Sequence, residues 1–173
     1  MVDMAGVGMA TVAQREQFEQ LLERHRGIVL KIAHAYCRDT EDRRDLAQEI
    51  AAQLWRALPA WDRGRPFSTW MYRVALNVAI SHARSAGDRQ HLPLDEAGVE
   101  PSHDADAARE ADDGIRALYA CIERLDPLNR ALMLLYLDER SQREIGEILG
   151  LSETNVATKI GRLKTRIRNE LGE

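Results

Sequence analysis

The carboxyl-terminal part of the sequence carries side chains that can read duplex DNA. The string SQREIGEILGLSETNVATKIGRLKTRIR places Ser141 and Glu144 as a capping box, Gly150 at a turn and Ser152 as the cap of a longer helix. This order is typical of a helix-turn-helix, whose second helix enters the major groove. Polar and cationic side chains near the start of that helix can pair with base edges. The residues expected at base edges are Glu153, Thr154, Asn155, Thr158, Lys159 and Arg162, with Arg166 and Arg168 expected at phosphates.

A second candidate surface combines aromatic and cationic residues over residues 61–84, in the string WDRGRPFSTWMYRVALNVAISHAR. Aromatic rings stack on unpaired bases, at about 1 to 3 kcal/mol per base, so this composition suits single-stranded DNA. Such capture can offset the cost of opening a duplex. Trp70 and Met71 also fit the core of a helical domain, which the residues alone favour for these two side chains. The exposed candidates are residues 63–68 together with Arg73, Asn77 and Arg84.

Catalytic or metal chemistry has weak support in the sequence. His34 and Cys37 lie one helical turn apart, but no third group nearby would orient them as a nucleophile and base. The carboxylates Asp42, Asp45 and Glu49 are typical of a solvated helix surface, and the five histidines show no metal-ligand spacing. We therefore expect a protein that is not an enzyme, with no catalytic residue, metal or cofactor.

The elements that must position these side chains are predicted to be helices. Apolar residues recur at helical spacing in both halves, and no sustained strand alternation occurs. One helix carries Leu46, Ile50, Leu54 and Leu58 before Pro59 ends it. The last helix carries an apolar stripe at Val156, Ile160, Leu163, Ile167 and Leu171. The prediction is an all-α chain of two small helical domains.

An acidic stretch is predicted to join the two domains. Nine acidic residues and two arginines lie over residues 88–113, together with prolines and glycines and few large apolar residues. Such a segment buries too little surface to offset its ordering entropy. Because most of the excess negative charge lies in this stretch, the rest of the chain is mildly basic although the net charge of the whole chain is −4. The predicted boundaries are a disordered 1–14, a first domain at 15–85, a flexible linker at 86–113 and a second domain at 114–173.

Cysteine usage and hydropathy suggest a cytoplasmic protein. Cys37 and Cys121 each lie in an apolar helical stretch and are expected to be buried reduced thiols. The amino terminus lacks the pattern of a secretion signal, and no apolar run approaches the length of a membrane span. We expect no direct membrane insertion.

Three strings together carry a family resemblance: DLAQEIAAQLWRALPAWD, PFSTWMYRVALNVAISHAR and the carboxyl-terminal string quoted above. They resemble the extracytoplasmic-function (ECF) class of bacterial RNA polymerase sigma factors, over nearly the whole chain after about residue 15. The resemblance implies a region 2 bundle and a region 4 helix-turn-helix. It also implies that the chain directs core RNA polymerase to specific promoters and assists promoter melting.

The resemblance further implies a role for each candidate surface. Region 2 is expected to bind the clamp coiled coil of the polymerase, and region 4 to lie near the flap and read the −35 element. The linker would run toward the RNA exit path, and an anti-sigma factor is an expected partner. The implied polymerase-binding residues are Asp45, Gln48, Glu49, Gln53 and Trp55. The implied −10 DNA-binding residues are Arg63, Arg65, Phe67, Ser68, Trp70, Arg73, Asn77 and Arg84. The implied −35 DNA-binding residues are Glu153, Thr154, Asn155, Thr158, Lys159, Arg162 and Arg166.

One position departs from the family pattern. Many relatives have an acidic pair just before the Asp45-Leu46 step, whereas this chain has Arg43 and Arg44, with Glu41 and Asp42 upstream. If these arginines face the polymerase, binding is expected to be weaker or to need an added negative group.

An ordinary helix-turn-helix regulator is the main alternative. It explains the second half equally well, and it predicts tight binding of the chain alone to duplex DNA. It leaves residues 63–84 unexplained. A sigma factor is instead expected to bind promoters weakly without core polymerase.

Overall fold

The computed structural model describes residues 12–89 and 106–172, and these residues form eight α-helices, one short 3₁₀ turn and no strand. The all-α prediction is confirmed for this part of the chain. The helices are α1 (Val12–Arg24), α2 (Arg26–Tyr36), α3 (Thr40–Ala57), α4 (Phe67–Arg89), α5 (Asp106–Glu123), α6 (Pro127–Leu137), α7 (Gln142–Leu149) and α8 (Glu153–Leu171). The 3₁₀ turn, Leu58–Ala60, follows α3.

Helices α1 to α4 form the amino-terminal domain around the contact between α3 and α4. The predicted stripe of α3, Leu46, Ile50 and Leu54, has no exposed surface, and Met71 and Leu76 of α4 are also fully buried. Burial of side chains of this size contributes about 1.5 to 3 kcal/mol each, so this seam holds the domain together. The polar residues of both helices are left on the outside.

Helices α5 to α8 form the carboxyl-terminal domain, and its predicted caps are all present. The Asp126 carboxylate accepts from the backbone N–H of Asn129 at the start of α6. Ser141 and Glu144 form the capping box of α7, Gly150 follows α7 with a φ of 70°, and Ser152 caps α8. These caps fix where each helix starts and ends, and so fix the turn between α7 and α8.

Gly146 lies at a close approach between α7 and the turn that follows it. A Cβ atom at this position would lie 2.5 Å from the carbonyl oxygen of Leu151, and the Leu151 N–H donates to the Gly146 carbonyl at 3.0 Å. Because the obstacle is backbone, it cannot rotate away as a side chain would. The tight helix-turn-helix therefore requires glycine at position 146.

Helices enter the predicted linker from both ends. Helix α4 continues to Arg89 and α5 starts at Asp106, so both include residues expected in the 86–113 linker. Residues 90–105 lie outside the described residues. At the amino terminus α1 begins at Val12, which corrects the predicted disordered segment 1–14 for its last three residues. Residues 1–11 are not described either.

The two domains are in contact. Helix α4 packs on α6 and α7, and α2 packs on α5. The Tyr36 hydroxyl donates to the Pro127 carbonyl at 2.6 Å, and Arg130 Nη1 donates to the Ala35 carbonyl at 3.1 Å. The domains thus meet through directed polar contacts as well as apolar packing.

Candidate nucleic-acid interfaces

The first three turns of α8 present the polar surface expected of a recognition helix. Val156 and Ile160 are buried against the other helices of the domain. The helical period consequently turns the residues between them outward. Of the candidates, Glu153, Thr154, Asn155, Thr158, Arg162 and Arg166 are exposed and Lys159 is half-buried. The Thr158 hydroxyl donates to the Thr154 carbonyl at 3.0 Å, so its proton is used within the helix.

The far end of α8 is linked through Glu170 to the turn that follows α5. Arg124 Nη2 donates to one oxygen of the Glu170 carboxylate at 2.9 Å, and Arg166 Nε donates to the other at 3.0 Å. The hydrogen bond from Arg124, followed by that from Arg166, lowers the pKa of Glu170 to about 2. Arg166 is therefore exposed but already paired, whereas no pairing of this kind holds the start of α8.

The aromatic residues of the first domain form a cluster around Phe67. Its ring centroid lies 5.0 Å from that of Trp61 and 5.4 Å from that of Trp70. Phe67 is only 7% exposed, which corrects its predicted place among the DNA-facing residues. The ring supports the two tryptophans, which are half-buried and keep part of their surface open. The guanidinium of Arg63 lies over the Trp61 ring at 5.8 Å.

Cationic and amide side chains line the outer face of α4. Arg73, Asn77 and Arg84 are all exposed and lie at helical spacing on one face. Arg63 and Arg65 are exposed in the preceding loop, and Ser68 is half-buried in the first turn. The structure thus brings the loop cations, the tryptophan edges and the α4 face together on one side of the amino-terminal domain.

Helix α3 presents an exposed ridge between two grooves. Asp45, Gln48 and Glu49 are exposed, while Gln53 and Trp55 are half-buried. Gln48 faces a groove shared with α1 and α2, and Glu49 and Gln53 face a groove shared with α4. The Trp55 ring lies 5.1 Å from that of Phe18. Trp55 therefore contributes to packing of α1 as well as to the surface.

Arg43 binds within its own domain. Its Nε donates to the carbonyl oxygen of Cys37 at 2.8 Å, just beyond the end of α2. The side chain of Arg43 is half-buried, whereas Arg44 is exposed. Of the two arginines that depart from the family pattern, Arg44 alone is fully presented at the surface.

Asp138, at the end of α6, joins the two domains. Its carboxylate accepts from the Lys31 ammonium and from the Tyr72 hydroxyl, the latter at 2.5 Å. Burial raises the pKa of Asp138, but the bonds from Lys31 and Tyr72 and the charges of Lys31 and Arg140 outweigh it, leaving that pKa below its ordinary value. Sequence patterns did not find this contact, because its partners lie in separate domains.

The alternative of cysteine chemistry gains no support. Cys37 Sγ lies 3.7 Å from Nε2 of His82, not of His34. Burial, and then the charge of Asp42, raise the pKa of the Cys37 thiol, which disfavours the thiolate that a nucleophile requires. Within residues 12–89 and 106–172 we find no metal-binding group of His, Cys, Asp and Glu. In the same residues no helix is long and apolar enough to cross a membrane.

Each of the two helical domains matches one known protein family. Residues 21–89 match the family Sigma-70 region 2, and residues 115–167 match the family Sigma-70, region 4. Together the matched ranges cover most of the chain, in the order found in bacterial RNA polymerase sigma factors. The chain is thus built as a sigma factor.

Similar proteins narrow the class. The chain is 25% identical over 170 residues to the ECF RNA polymerase sigma factor SigW of Bacillus subtilis. The alignment covers 91% of this chain and 90% of SigW. It is 27% identical to the RNA polymerase sigma factor CnrH of Cupriavidus metallidurans, over 91% of this chain and 88% of CnrH. The chain belongs to the ECF sigma factors, and it acts in transcription initiation by directing RNA polymerase to promoters.

Two solved structures resemble this fold. CnrH in complex with the cytosolic domain of CnrY superposes with a TM-score of 0.65 at 25% identity, over 91% of this chain and 89% of CnrH. The sigma factor RpoE of Bartonella quintana, in complex with the anti-sigma factor NepR, superposes with a TM-score of 0.71 at 15% identity. It covers 91% of this chain and 98% of RpoE, and at that identity it shows the fold.

Proposed function

We propose that the two exposed surfaces divide promoter recognition between the domains. The loop before α4 and the α4 face with Arg73, Asn77 and Arg84 capture unpaired bases of the −10 element. The first turns of α8, with Asn155, Lys159 and Arg162, read the −35 element as duplex. The boundaries proposed from the sequence assign region 2 to residues 15–85 and region 4 to residues 114–173.

A single observation carries this proposal. The chain has two separate polar and cationic faces, each on its own domain, and they differ in chemistry. The α4 side offers tryptophan edges beside arginines, which suits single strands. The α8 side offers Asn155, Lys159 and Arg162 at the start of a capped helix, which suits a major groove. Two weak contacts linked on one enzyme give strong binding.

We propose that the polymerase docks on the ridge of α3. Asp45, Gln48 and Glu49 are the exposed residues of that ridge, and Gln53 and Trp55 lie along its flanks. The clamp coiled coil is the expected partner there, and region 4 is expected to lie near the flap. Gln48→Ala removes an exposed side chain, so loss of polymerase binding in this variant identifies the interface. Trp55→Ala removes a half-buried side chain, so loss of binding in that variant can also come from changed packing of the domain.

We also propose an anti-sigma partner and a cytoplasmic location. Support for the partner comes from RpoE, whose solved structure holds an anti-sigma factor, and from CnrH, whose structure holds the cytosolic domain of CnrY. The location follows from the need to meet RNA polymerase and promoter DNA. We propose no catalytic activity and no cofactor.

Run-off transcription tests the proposal. Purified core polymerase is given a library of promoters, with and without the full chain, and the starts of the transcripts are mapped. We expect transcripts from a defined set of promoters only when the chain is added. No new transcript from any site in the native genome would overturn the proposal.

Binding of the chain alone separates this function from that of an ordinary regulator. We expect weak binding to promoter duplex without core polymerase and strong, salt-sensitive binding with it. Tight binding of the chain alone to duplex DNA would favour a helix-turn-helix regulator instead.

A further inference from the structure

The loop between the 3₁₀ turn and α4, residues 61–66, is held in shape by its own first two side chains. The indole Nε1 of Trp61 donates to the carbonyl oxygen of Arg65 at 3.3 Å. The Asp62 carboxylate accepts from the backbone N–H of Gly64 at 2.9 Å, and the Asp62 carbonyl accepts from the N–H of Arg65 at 3.0 Å. These hydrogen bonds close the loop into a turn.

Trp61 anchors this loop to the amino-terminal domain. Its backbone N–H donates to the Leu58 carbonyl at 3.1 Å, and its ring centroid lies 5.0 Å from that of buried Phe67 and 6.1 Å from that of Trp70. The Trp61 side chain is half-buried. Because the ring is packed against the domain, its N–H also holds the far end of the loop, at Arg65, close to the aromatic cluster.

The two arginines of the loop each contact one of these side chains. The Arg63 guanidinium lies over the Trp61 ring, 5.8 Å from its centroid, and Arg65 Nε lies 3.9 Å from the Asp62 carboxylate. Both arginines are exposed, so each of these contacts is weak by itself. The positions of the guanidinium groups consequently depend on the turn that carries them.

The charge of Asp62 is opposite in sign to the charges that DNA attracts. A carboxylate beside phosphates repels them, so Asp62 acting through its charge alone would weaken DNA binding. Its hydrogen bond to Gly64 gives it a second effect, because it orders the loop. A loop without a fixed shape loses conformational freedom when it binds, and that entropy cost lowers affinity, whereas an ordered loop avoids it.

We propose that Trp61 and Asp62 are positioning residues of the −10 surface. The indole N–H of Trp61 and the carboxylate of Asp62 form the turn before DNA arrives, so that Arg63 and Arg65 are already placed for the captured strand. Both residues act through the two arginines. This inference rests on the proposed function, because it names what orders the surface that captures the −10 element.

Hydrogen exchange of single amides in the free chain tests whether Asp62 orders the loop. Asp62→Ala removes the acceptor of the Gly64 N–H, and we expect that amide to exchange about three- to tenfold faster, the range for loss of one hydrogen bond. Asp62→Asn loses the same charge but keeps a side-chain carbonyl oxygen that can accept. It should leave the exchange of Gly64 close to that of the wild-type chain.

Trp61→Phe tests the other half of the turn. Phenylalanine keeps an aromatic ring against Phe67 but has no N–H to donate to the Arg65 carbonyl. We expect the Gly64 and Arg65 amides to exchange faster, with the amides of α8 unchanged as an internal reference. Urea unfolding of each variant measures any loss of stability of the whole chain.

Binding of unpaired DNA then tests whether the order of the loop matters for function. The probe is a promoter from the run-off screen with its −10 element left unpaired, bound by core polymerase with the full chain. We expect Asp62→Ala and Trp61→Phe to weaken binding about three- to tenfold. Asp62→Asn should bind at least as tightly as the wild-type chain. Glu16→Ala is the control, because Glu16 is an exposed acid on α1 of the same domain, and it should leave binding unchanged.

The sign of the Asp62→Ala effect decides between charge and position. Tighter binding by both Asp62 variants would show that Asp62 acts only through its charge, which overturns the inference. Unchanged exchange of Gly64 in Asp62→Ala, or faster exchange with unchanged DNA binding, overturns it as well. The exchange measurement needs neither polymerase nor DNA. A loop that loses order as expected, in a chain whose wild-type form does not bind the unpaired −10 strand with polymerase, overturns the proposed function instead.

Discussion

Arg43 Nε donates to the carbonyl oxygen of Cys37 at 2.8 Å, which joins α3 to the end of α2. Arg43→Glu removes this bond and places a carboxylate beside the negative end of a helix. We expect the free energy of unfolding to fall by about 1 to 3 kcal/mol. Urea unfolding followed by circular dichroism measures it.

Arg44→Glu is the matched comparison, because Arg44 is exposed. We expect its unfolding free energy to change by less than about 0.5 kcal/mol. If Arg44 faces the polymerase, its charge reversal changes the affinity for core polymerase, which a fluorescence binding assay measures. An unchanged affinity would show that this arginine does not face the partner.

Lys159→Ala and Arg162→Ala are expected to weaken promoter use while leaving polymerase binding intact. Arg162 is exposed and Lys159 half-buried within the first three turns of α8, and loss of a base contact costs about 1 to 3 kcal/mol. The readouts are run-off transcription and core polymerase affinity, side by side. Arg15→Ala in α1 is the control, because Arg15 is an exposed arginine on the other domain. Loss of polymerase binding in the α8 variants would contradict the assignment of α8 to DNA.

Phe67→Ala is expected to act through stability. Phe67 is buried between Trp61 and Trp70, and a buried phenylalanine replaced by alanine costs about 3 to 5 kcal/mol. Arg73→Ala, on the exposed face of the same helix, should leave unfolding unchanged and weaken binding of the open −10 strand. Thermal unfolding and binding to a polymerase complex on pre-melted promoter DNA distinguish the two. Equal stability of the two variants would contradict the packing role of Phe67 and favour its original assignment to the DNA-binding residues.

Gly146→Ala is expected to destabilise the helix-turn-helix. The new methyl group would meet the Leu151 carbonyl at 2.5 Å, so α7 and the turn must move apart. Overpacking of this kind costs about 1 to 3 kcal/mol. Hydrogen exchange of the α7 and α8 amides measures the local loss. Gly161→Ala, where nothing lies within 4 Å of an added Cβ, is the control and should not destabilise α8.

The pairing of Glu170 with Arg124 and Arg166 predicts that the stability of the carboxyl-terminal domain falls at low pH. The hydrogen bonds from Arg124 and then Arg166 lower the pKa of Glu170 to about 2, below its ordinary value. A lowered carboxyl pKa adds stability that is present above the unfolded value and is lost as pH falls through the folded value. Carbon NMR of the side-chain carboxyl should therefore show Glu170 titrating near pH 2. Glu170→Gln should make the loss of stability between pH 5 and pH 2 smaller, and an unchanged slope would contradict the pairing.

Local features could be predicted from the sequence, and contacts between distant residues could not. The caps at Asp126, Ser141 and Ser152 depend on residues three positions away, so the sequence carries them directly. The helix-turn-helix followed from those caps and from the apolar stripe of α8. The pairing of Lys31 with Asp138 joins residues in separate domains, and no periodicity records it.

Phe67 shows why exposure is the harder prediction. As the first residue of α4 it lies where a loop of exposed cations meets a helix core, and composition allows either environment. Packing by Trp61 and Trp70 decides it. The contact of Arg43 could not be predicted either, because its partner is a backbone carbonyl oxygen, which every residue type carries.

Arg124 pairs with Glu170 at the end of α8, far from the polar start of the helix, and this pairing restrains the tilt of the whole helix. The tilt of a helix decides how deeply its side chains can reach into a groove. Arg124, in the turn after α5, therefore influences the angle of α8 without contacting the polar residues at its start. If α8 reads promoter DNA as proposed, replacing Arg124 is expected to change promoter preference through a residue outside the proposed DNA surface.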